Sequence, residues 1–355
     1  MLLLELSSNV LGVLNRASEC EPLLVGTKSK TSVLGCGEAR HWWRHEWQHG
    51  WQFRAADIVE KDVHHQLLST LDGPRAAQLR SQTGKHSGDI FEILPTQLHL
   101  RPAPGRFMTC MRRRLWLPIG LAPAACPGPT CTRRLDPYGI HLLACPRSGR
   151  LVARARPLER AWVQIVREAG ARVQPQVRIA AINVAPVPVG DTRVIDFVAY
   201  GLPVYGGLPI CGDPTLRSPL TEDGYARPGA QVSGAAPLRA GESAKRSRYP
   251  ELHASERCHL LPLACSTGGR WSEDCLSFVR ALVRHKTEML PLLLRRSYAI
   301  GYQRRWWGLL SVALHESVAA SLDPSDVVTE MAPPTIEPLD VWMRDEPLIS
   351  THGAH

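Results

Sequence analysis

Two apolar segments separated by a glycine pair constrain this chain more than any other feature. Residues 192–200 and 208–216 are rich in β-branched and aromatic side chains, and Gly206-Gly207 lies between them. This pattern predicts two strands joined as a β-hairpin. Residues 173–181 alternate as a strand does, and residues 259–265 predict a further buried strand.

Helical spacing surrounds these strands. Leu158, Ala161 and Trp162 begin an apolar repeat that Gly170 ends, which predicts a helix. Further helices are predicted over 242–252, 273–286 and 303–322. The predicted order along the chain is therefore a helix, three strands, a helix, a strand and two final helices. This order predicts an α/β fold.

The remaining chain divides by composition. Residues 1–40 show no clear period and stay unassigned, whereas residues 41–117 predict a helical, basic linker region with a break at Gly73-Pro74. Residues 118–150 are rich in proline and cysteine and predict a small metal-organised unit. Residues 151–322 form the predicted α/β domain, and residues 323–355 are predicted to be a flexible tail.

Positive charge is concentrated in one part of the chain. The formal net charge is +9, and residues 101–160 hold twelve arginines and no lysine against only Asp136 and Glu159. A strip of this kind suits a polyanion, because each phosphate contact releases condensed counterions. We therefore expect Arg112, Arg113 and Arg114, with Arg133 and Arg134 further on, to contact nucleic acid. A solvated basic surface is the simpler alternative.

The ten cysteines are scattered, unlike those of a small disulfide scaffold. The first 14 residues lack a basic n-region, and no run of eighteen apolar residues occurs. We expect an intracellular protein in a reducing compartment, without a signal peptide, a transmembrane segment or a membrane partner.

Four residues have the spacing of a metal site: Cys126-x4-Cys131-x9-His141-x3-Cys145. Three thiolates and an imidazole suit tetrahedral zinc in a closed structural site. Because the surrounding sequence cannot form a large core, the metal would supply folding energy. A chance coincidence among many cysteines and histidines is the alternative.

A carboxylate pair lies in the predicted hairpin. Asp196 interrupts an apolar run, where a carboxylate is costly unless it is paired, protonated or bound to metal. Asp213 lies near the end of the next strand, and a hairpin can bring both to one edge of the sheet. Two such carboxylates can hold Mg²⁺. A salt-bridged acid at Asp196 and a turn acid at Asp213 are the alternatives on spacing alone.

A third pattern, His45-Glu46-Trp47-Gln48-His49, matches the HExxH motif of zinc proteases. No third histidine follows at the metzincin spacing, and the nearby tryptophans favour packing or base stacking. A metalloprotease therefore stays a remote alternative, testable with a casein-type assay on Glu46→Gln.

From about residue 87 to 322 the chain resembles the C-terminal region of site-specific non-LTR retrotransposon polyproteins, beyond the reverse transcriptase. The resemblance rests on the order and spacing of several segments. They are FMTCMRRRLWLP, LDPYGIHLLACP within the Cys/His unit, Glu159-Arg160-Ala161-Trp162, VIDFVAYG, GDPTLRSPLT, Lys245 with YPEL, LLPLACSTGGRW and RRWWGLLSVAL.

The resemblance implies a CCHC zinc knuckle at 118–150 and a PD-(D/E)XK restriction-endonuclease-like α/β/α core at 151–322. Asp196 and Asp213 would bind the catalytic Mg²⁺, and Lys245 would be the lysine displaced onto a following helix. Tyr249 and Glu159 match an accessory tyrosine and acid. No YxDD-type polymerase motif occurs, so the resemblance implies a fragment, a domesticated relic or a decaying copy.

The expected function is Mg²⁺-dependent phosphodiester hydrolysis on DNA in the nucleus, with structural zinc. RNA is an alternative partner, because phosphate contacts carry no base information. A catalytically inactive, zinc-dependent nucleic-acid-binding relic is the alternative function.

Overall fold

The computed structural model describes residues 51–93, 100–121, 125–184, 187–188 and 190–322. The chain divides into two units, which meet between His65 and Gln66. The described part of the first unit is the start of helix α1, Trp51–Thr70. The second unit contains the sheet and all the candidate sites among the described residues. The predicted tail from residue 323 and the HExxH residues 45–49 lie outside the described residues.

One mixed sheet organises the second unit. Its strands in the described residues are β1 (Arg172–Arg178), β2 (Val194–Tyr200), β3 (Ile210–Arg217) and β4 (His259–Ser266), arranged in that order. β1 pairs antiparallel with β2, and β2 pairs antiparallel with β3. β4 is parallel to β3, so the chain crosses the sheet between them. The predicted strands are therefore present.

The turn between β2 and β3 is a 3₁₀ turn over Tyr205–Gly207, in which Gly206 and Gly207 have φ values of 71° and 78°. Glycine adopts these left-handed angles without a steric penalty. Further along β3, a Cβ added at Gly212 would lie 2.0 Å from the ring of Phe197 on β2. The aromatic ring therefore fills the space that any larger residue at 212 would need.

Helices fill the rest of the unit. In chain order they are α2 (Gly73–Arg80), α3 (Pro104–Arg114), α4 (Ile140–Ala144), α5 (Arg150–Ala153), α6 (Ala155–Glu168), α7 (Ile179–Ile182), α8 (Ala236–Arg248), α9 (Pro250–His253), α10 (Glu273–Glu288) and α11 (Leu292–Leu322). None of the helices in the described ranges is both long enough and apolar enough to cross a bilayer.

Two apolar clusters cover the two faces of the sheet. The larger cluster joins the apolar faces of α6, α10 and α11, including Trp162 and Phe278, to Phe197 of β2. The smaller cluster lies on the other face, where Tyr249 and Leu252 contact the sheet. Apolar burial on both faces therefore produces helices on either side of a central sheet. The predicted combination of helices and sheet in an α/β fold is confirmed.

Three predicted boundaries are wrong. The strand predicted for 173–181 ends at Arg178, because the chain turns there into α7 and buries Ile179 in the smaller cluster. The helix predicted for 242–252 begins at Ala236 and ends before Pro250, which has no N–H to continue it. The last helix begins at Leu292 rather than at 303.

Candidate metal centres

The four predicted zinc ligands come together. Cys126, Cys131, His141 and Cys145 are all buried, and one ligand atom of each lies within 4.8 Å of the others. The sequence spacing thus folds into a compact, closed cluster of soft donors. This cluster can hold a metal ion such as zinc.

The distances within the cluster fit a tetrahedral ion. The Cys145 sulfur lies 4.0 Å from the Cys126 sulfur and 3.9 Å from the Cys131 sulfur. Zn–S bonds of about 2.3 Å in tetrahedral geometry separate two sulfurs by about 3.8 Å. His141 Nε2 lies 3.4 Å from the Cys131 sulfur. The cysteines are free thiols, so the arrangement is that of a metal site and not of disulfides.

Local turns explain how this segment presents its ligands. The Cys131 N–H donates to Gly128 O at 2.9 Å, which closes the four-residue spacer after Cys126 into a turn. A Cβ at Gly128 would lie 2.5 Å from Arg147 O, so the turn needs glycine. The Asp136 carboxylate accepts hydrogen bonds from the N–H groups of Tyr138, Ile140 and His141, the last at 2.8 Å. These bonds satisfy the first turn of α4 and fix the backbone of His141.

The knuckle (residues 118–150) is bound to the loop that follows β3. His141 Nδ1 lies 3.1 Å from Glu222 O, so the ring donates there and leaves Nε2 free to bind metal. The carboxylate of Glu222 pairs with Arg147 at 3.0 Å, and Asp223 pairs with Arg133. One backbone acceptor and two ion pairs therefore connect the knuckle to residues 222–223.

The two predicted magnesium ligands lie side by side in the sheet. Phe197 pairs with Gly212 in the antiparallel register of β2 and β3. The pairing ends there, and one position further the same register would place Asp196 opposite Asp213. The two side chains are close enough for Asp213 to raise the pKa of Asp196, after burial as the larger cause. Side chains at directly opposed positions have Cβ atoms about 4.5–5.5 Å apart. The hairpin thus brings the two carboxylates together.

Asp213 is almost completely buried, with 1% of its side chain exposed, and its Oδ1 accepts a 2.6 Å hydrogen bond from Lys245 Nζ on α8. Its Oδ2 is buried and has no hydrogen-bond partner among the described residues. A buried, unpartnered carboxylate oxygen is costly. This atom is available to a cation.

Glu159 of α6 completes a group of three acids. Burial, followed by the negative charges of Asp213 and Glu159, raises the pKa of Asp196 to about 8. Burial, and then the charge of Asp213, also raises the pKa of Glu159. The fold therefore holds three carboxylates together at a cost that a divalent cation would relieve. We call Glu159, Asp196, Asp213 and Lys245 the carboxylate centre.

The hydroxyl of Tyr249 bonds to the backbone of β2 beside the carboxylate centre. It donates to Val194 O at 2.9 Å, and only 1% of the residue is exposed. In this arrangement Tyr249 connects the end of α8 to the start of β2. It also lies close enough to Asp213 for the carboxylate charge to raise its pKa, after burial as the larger cause.

Sequence reasoning missed Gln176. It lies in β1 opposite Asp196, between the register pairs Pro175–Phe197 and Val177–Ile195. Its φ is 51°, a left-handed value that non-glycine residues seldom adopt, and its Nε2 donates to Glu159 Oε2 at 3.0 Å. Pro175 was the available signal, since an internal proline is expected at a distorted position of a strand.

The predicted nucleic-acid contacts have different surroundings. Arg112 is exposed, whereas Arg113 is buried beside Gln78 and Thr267. Arg114 donates to Gly268 O at 2.6 Å. Internal contacts thus engage part of each of these guanidinium groups, and Arg112 Nε likewise donates to Pro118 O at 2.7 Å.

Arg133 and Arg134 are exposed. They line an open cavity of about 350 Å³ between the knuckle and residues 222–224. Arg134 has the freer head group, because Arg133 pairs with Asp223.

Comparison with known proteins adds no assignment, since no protein-family model and no curated protein matches the chain.

Proposed function

We propose that this protein is a retrotransposon-derived, Mg²⁺-dependent DNA endonuclease with a PD-(D/E)XK-like core. The observation that carries the proposal is the carboxylate centre. Asp196 and Asp213 lie close together on neighbouring strands, Asp213 Oδ2 lacks a hydrogen-bond partner among the described residues, and Lys245 is held beside Asp213. Clusters of this type, with perturbed pKa values, occur preferentially at functional sites.

The donor set fits magnesium better than zinc. Carboxylate oxygens are hard ligands, which Mg²⁺ prefers, and here they come from Asp196, Asp213 and Glu159. When bound, Mg²⁺ supplies Lewis-acid polarisation of a phosphate and lowers the pKa of a water. Asp213 Oδ2 and the neighbouring oxygens of Asp196 are the ligands we assign to it.

The remaining residues of the site would stabilise charge on the substrate or hold other groups in position. The Lys245 ammonium is fixed 2.6 Å from Asp213 Oδ1, so it can neutralise negative charge that develops on the scissile phosphate. Glu159 supplies a third carboxylate, which orients water or the metal ion. Tyr249 holds the end of α8, and with it Lys245, against β2 through Val194.

We assign a structural role to zinc in the knuckle, because three thiolates and one imidazole leave no open position for substrate. The exposed Arg112, Arg133 and Arg134 would hold the DNA backbone. DNA as substrate favours a nuclear location, and an RNA backbone would satisfy the same arginines.

One contact favours the alternative of an inactive nucleic-acid-binding module. The ion pair between Lys245 and the buried Asp213 already neutralises one carboxylate without a metal. In a degenerate nuclease, this pair would simply stabilise the fold.

Plasmid nicking by purified, zinc-loaded protein in Mg²⁺ tests the proposal. The parent protein, an Asp196→Ala/Asp213→Ala variant and an exposed-acid control, Glu256→Gln, are compared. Mg²⁺-dependent nicking by the parent and control, lost in the double variant, supports the nuclease. DNA binding without nicking in a folded parent protein favours the inactive module.

A further inference from the structure

Four arginines converge on residues 216–218, where β3 ends. Arg154 donates to Leu216 O at 2.9 Å, and Arg227 donates to Ser218 O at 3.0 Å. Arg217 lies between these two carbonyls. The fourth, Arg113, lies 3.4 Å from the hydroxyl of Thr267, whose N–H donates to Arg217 O. We call Arg113, Arg154, Arg217 and Arg227 the arginine cluster.

No carboxylate among the described residues forms a salt bridge with any member of this cluster. The Nε atoms of Arg113 and Arg217 are buried and have no hydrogen-bond partner in the described part of the chain. Arg113 and Arg154 are 4% and 8% exposed, whereas Arg217 and Arg227 are half-buried. Arg113 and Arg154 donate to neutral oxygens, and the charge of Asp136 acts on Arg113 without a salt bridge. Buried guanidinium groups are normally paired with an opposite charge, so the cluster keeps positive charge that an anion can balance.

Electrostatics agree with this geometry. Burial, followed by the charges of Arg217, Arg227 and Arg113, lowers the pKa of Arg154 to about 10. Burial and the charge of Arg227 also lower the pKa of Arg217. Arg154 is repelled by the other three arginines and Arg217 by Arg227, and a bound anion would relieve that repulsion.

Arg217, the member of the cluster that belongs to β3, lies on the same side of the sheet as the carboxylate centre. Asp213, Thr215 and Arg217 alternate along β3 and share the face covered by α8. A Cβ added at Gly241 of α8 would lie 2.9 Å from Arg217 Nε, so the glycine leaves room for the guanidinium. Four residues of strand correspond to about 13 Å, which is a short distance along a nucleic-acid backbone.

We propose that Arg217 and Arg227, supported by the buried Arg113 and Arg154, form a binding site for a phosphate group. Resting on the proposed nuclease function, we assign that phosphate to the same nucleic acid, beyond the scissile position. Guanidinium groups bind phosphate through paired N–H donors and are weakly hydrated, which suits a half-buried site. The site would fix the position of the substrate relative to Asp196 and Asp213.

The test uses the full, zinc-loaded chain with Arg217→Met, Arg217→Lys and, as matched control, the exposed Arg257→Met. Affinity for a DNA duplex is measured without Mg²⁺ over a range of salt concentrations. We expect Arg217→Met to weaken binding about tenfold and to reduce the salt slope of log K by about 1. Arg217→Lys should recover part of the affinity, and Arg257→Met should change neither quantity.

Thermal unfolding separates this role from a structural one. Without phosphate, Arg217→Met should melt at or above the parent temperature, because one of four repelling charges is gone. Inorganic phosphate should raise the Tm of the parent but not that of the variant. A lower Tm together with unchanged DNA affinity would overturn the proposal. A phosphate effect lost in the variant, with unchanged DNA affinity, would assign the site to free phosphate and contradict its placement on nucleic acid.

These outcomes do not depend on cleavage. A parent protein that binds DNA but never nicks it removes the nuclease proposal and leaves the Arg217 comparison intact. Conversely, nicking with an unchanged salt slope in Arg217→Met removes the phosphate site and leaves the nuclease.

Discussion

The knuckle and the carboxylate centre both gather ligand-type side chains, but the two are built in opposite ways. In the knuckle, all four ligands come from residues 126–145, and their ligand atoms lie within 4.8 Å of one another. In the carboxylate centre, Glu159, Asp196 and Asp213 come from three separate elements of the fold. The first is a local site, whereas the second exists only once the sheet has formed.

The knuckle and the carboxylate centre also differ in whether their polar atoms have hydrogen-bond partners. Hydrogen bonds to Asp136 and to Glu222 O hold His141 in place, so the knuckle is arranged for a metal that stays. The carboxylate centre keeps an unpartnered Asp213 Oδ2 and a strained backbone at Gln176. Unrelieved cost of this kind is retained at sites that bind a ligand reversibly. We therefore propose a structural role for the knuckle and a ligand-binding role for the carboxylate centre.

Removing zinc should produce the largest effect. Structural zinc contributes on the order of 10 kcal/mol in finger peptides at pH 7, so a zinc chelator or Cys145→Ala should unfold the knuckle and release residues 222–223. Metal content and thermal unfolding measure this. Cys275→Ala, which removes a buried thiol outside the cluster, is the control and should keep one zinc per chain. Equal melting curves with and without zinc would contradict a structural role.

Neutralising a carboxylate of the carboxylate centre should increase the stability of the folded protein, whereas removing zinc should decrease it. Asp196→Asn is expected to stabilise the Mg²⁺-free protein at neutral pH by about 1–2 kcal/mol. Burial and the charges of Asp213 and Glu159 raise the pKa of Asp196 to about 8, so folding must protonate a carboxylate that is ionised in the unfolded chain, and asparagine avoids that cost. Asp191→Asn is the matched control, since Asp191 forms a salt bridge with Arg193 and its loss should destabilise slightly. Urea unfolding compares them. Destabilisation by Asp196→Asn would mean that this acid serves the fold.

Substitution of Gln176 should slow nicking without lowering the stability of the fold. Gln176→Gly removes about 1 kcal/mol of left-handed strain but also the hydrogen bond to Glu159. We expect a Tm equal to or above that of the parent and nicking that is slower by about tenfold. Gln176→Asn, which tolerates the same φ, distinguishes strain from the lost amide. Unchanged nicking in Gln176→Gly would exclude a positioning role.

The smallest effect is expected at the exposed ion pair that joins the knuckle to the loop after β3. Arg133 and Asp223 are both exposed, and surface pairs contribute about 0–1 kcal/mol. Asp223→Ala should therefore leave zinc content and Tm nearly unchanged in a melting experiment. A large loss of stability would mean that the surface pair, rather than the His141–Glu222 contact, connects the two regions.

The same contrast explains what the sequence could predict. The spacing from Cys126 to Cys145 was sufficient to predict the cluster, because its ligands are close along the chain. The hairpin pattern and Asp196 in an apolar run predicted strands with carboxylates near one edge. Alternation along a strand determines which face of the sheet each side chain lies on. Pairing of the two strands then brings Asp196 and Asp213 close together.

Contacts between residues that are far apart in the sequence could not be predicted from periodicity or spacing. The burial of Arg113 depends on Thr267, more than 150 positions away, and the charge pattern alone predicted a surface role. The left-handed backbone of Gln176 depends on its position across from Asp196, which periodicity cannot supply. The arginine cluster likewise forms only when residues 113, 154, 217 and 227 meet in the folded chain.

The most direct test of the account is whether the carboxylate centre binds a divalent cation independently of zinc. Mn²⁺, an oxygen-preferring stand-in for Mg²⁺, can be titrated into zinc-loaded protein and followed by electron paramagnetic resonance, with zinc content measured in parallel. The account predicts that Mn²⁺ binds the parent protein and that Asp213→Asn abolishes this binding without loss of zinc. Equal Mn²⁺ binding by parent and variant, or none by a folded parent, would contradict it.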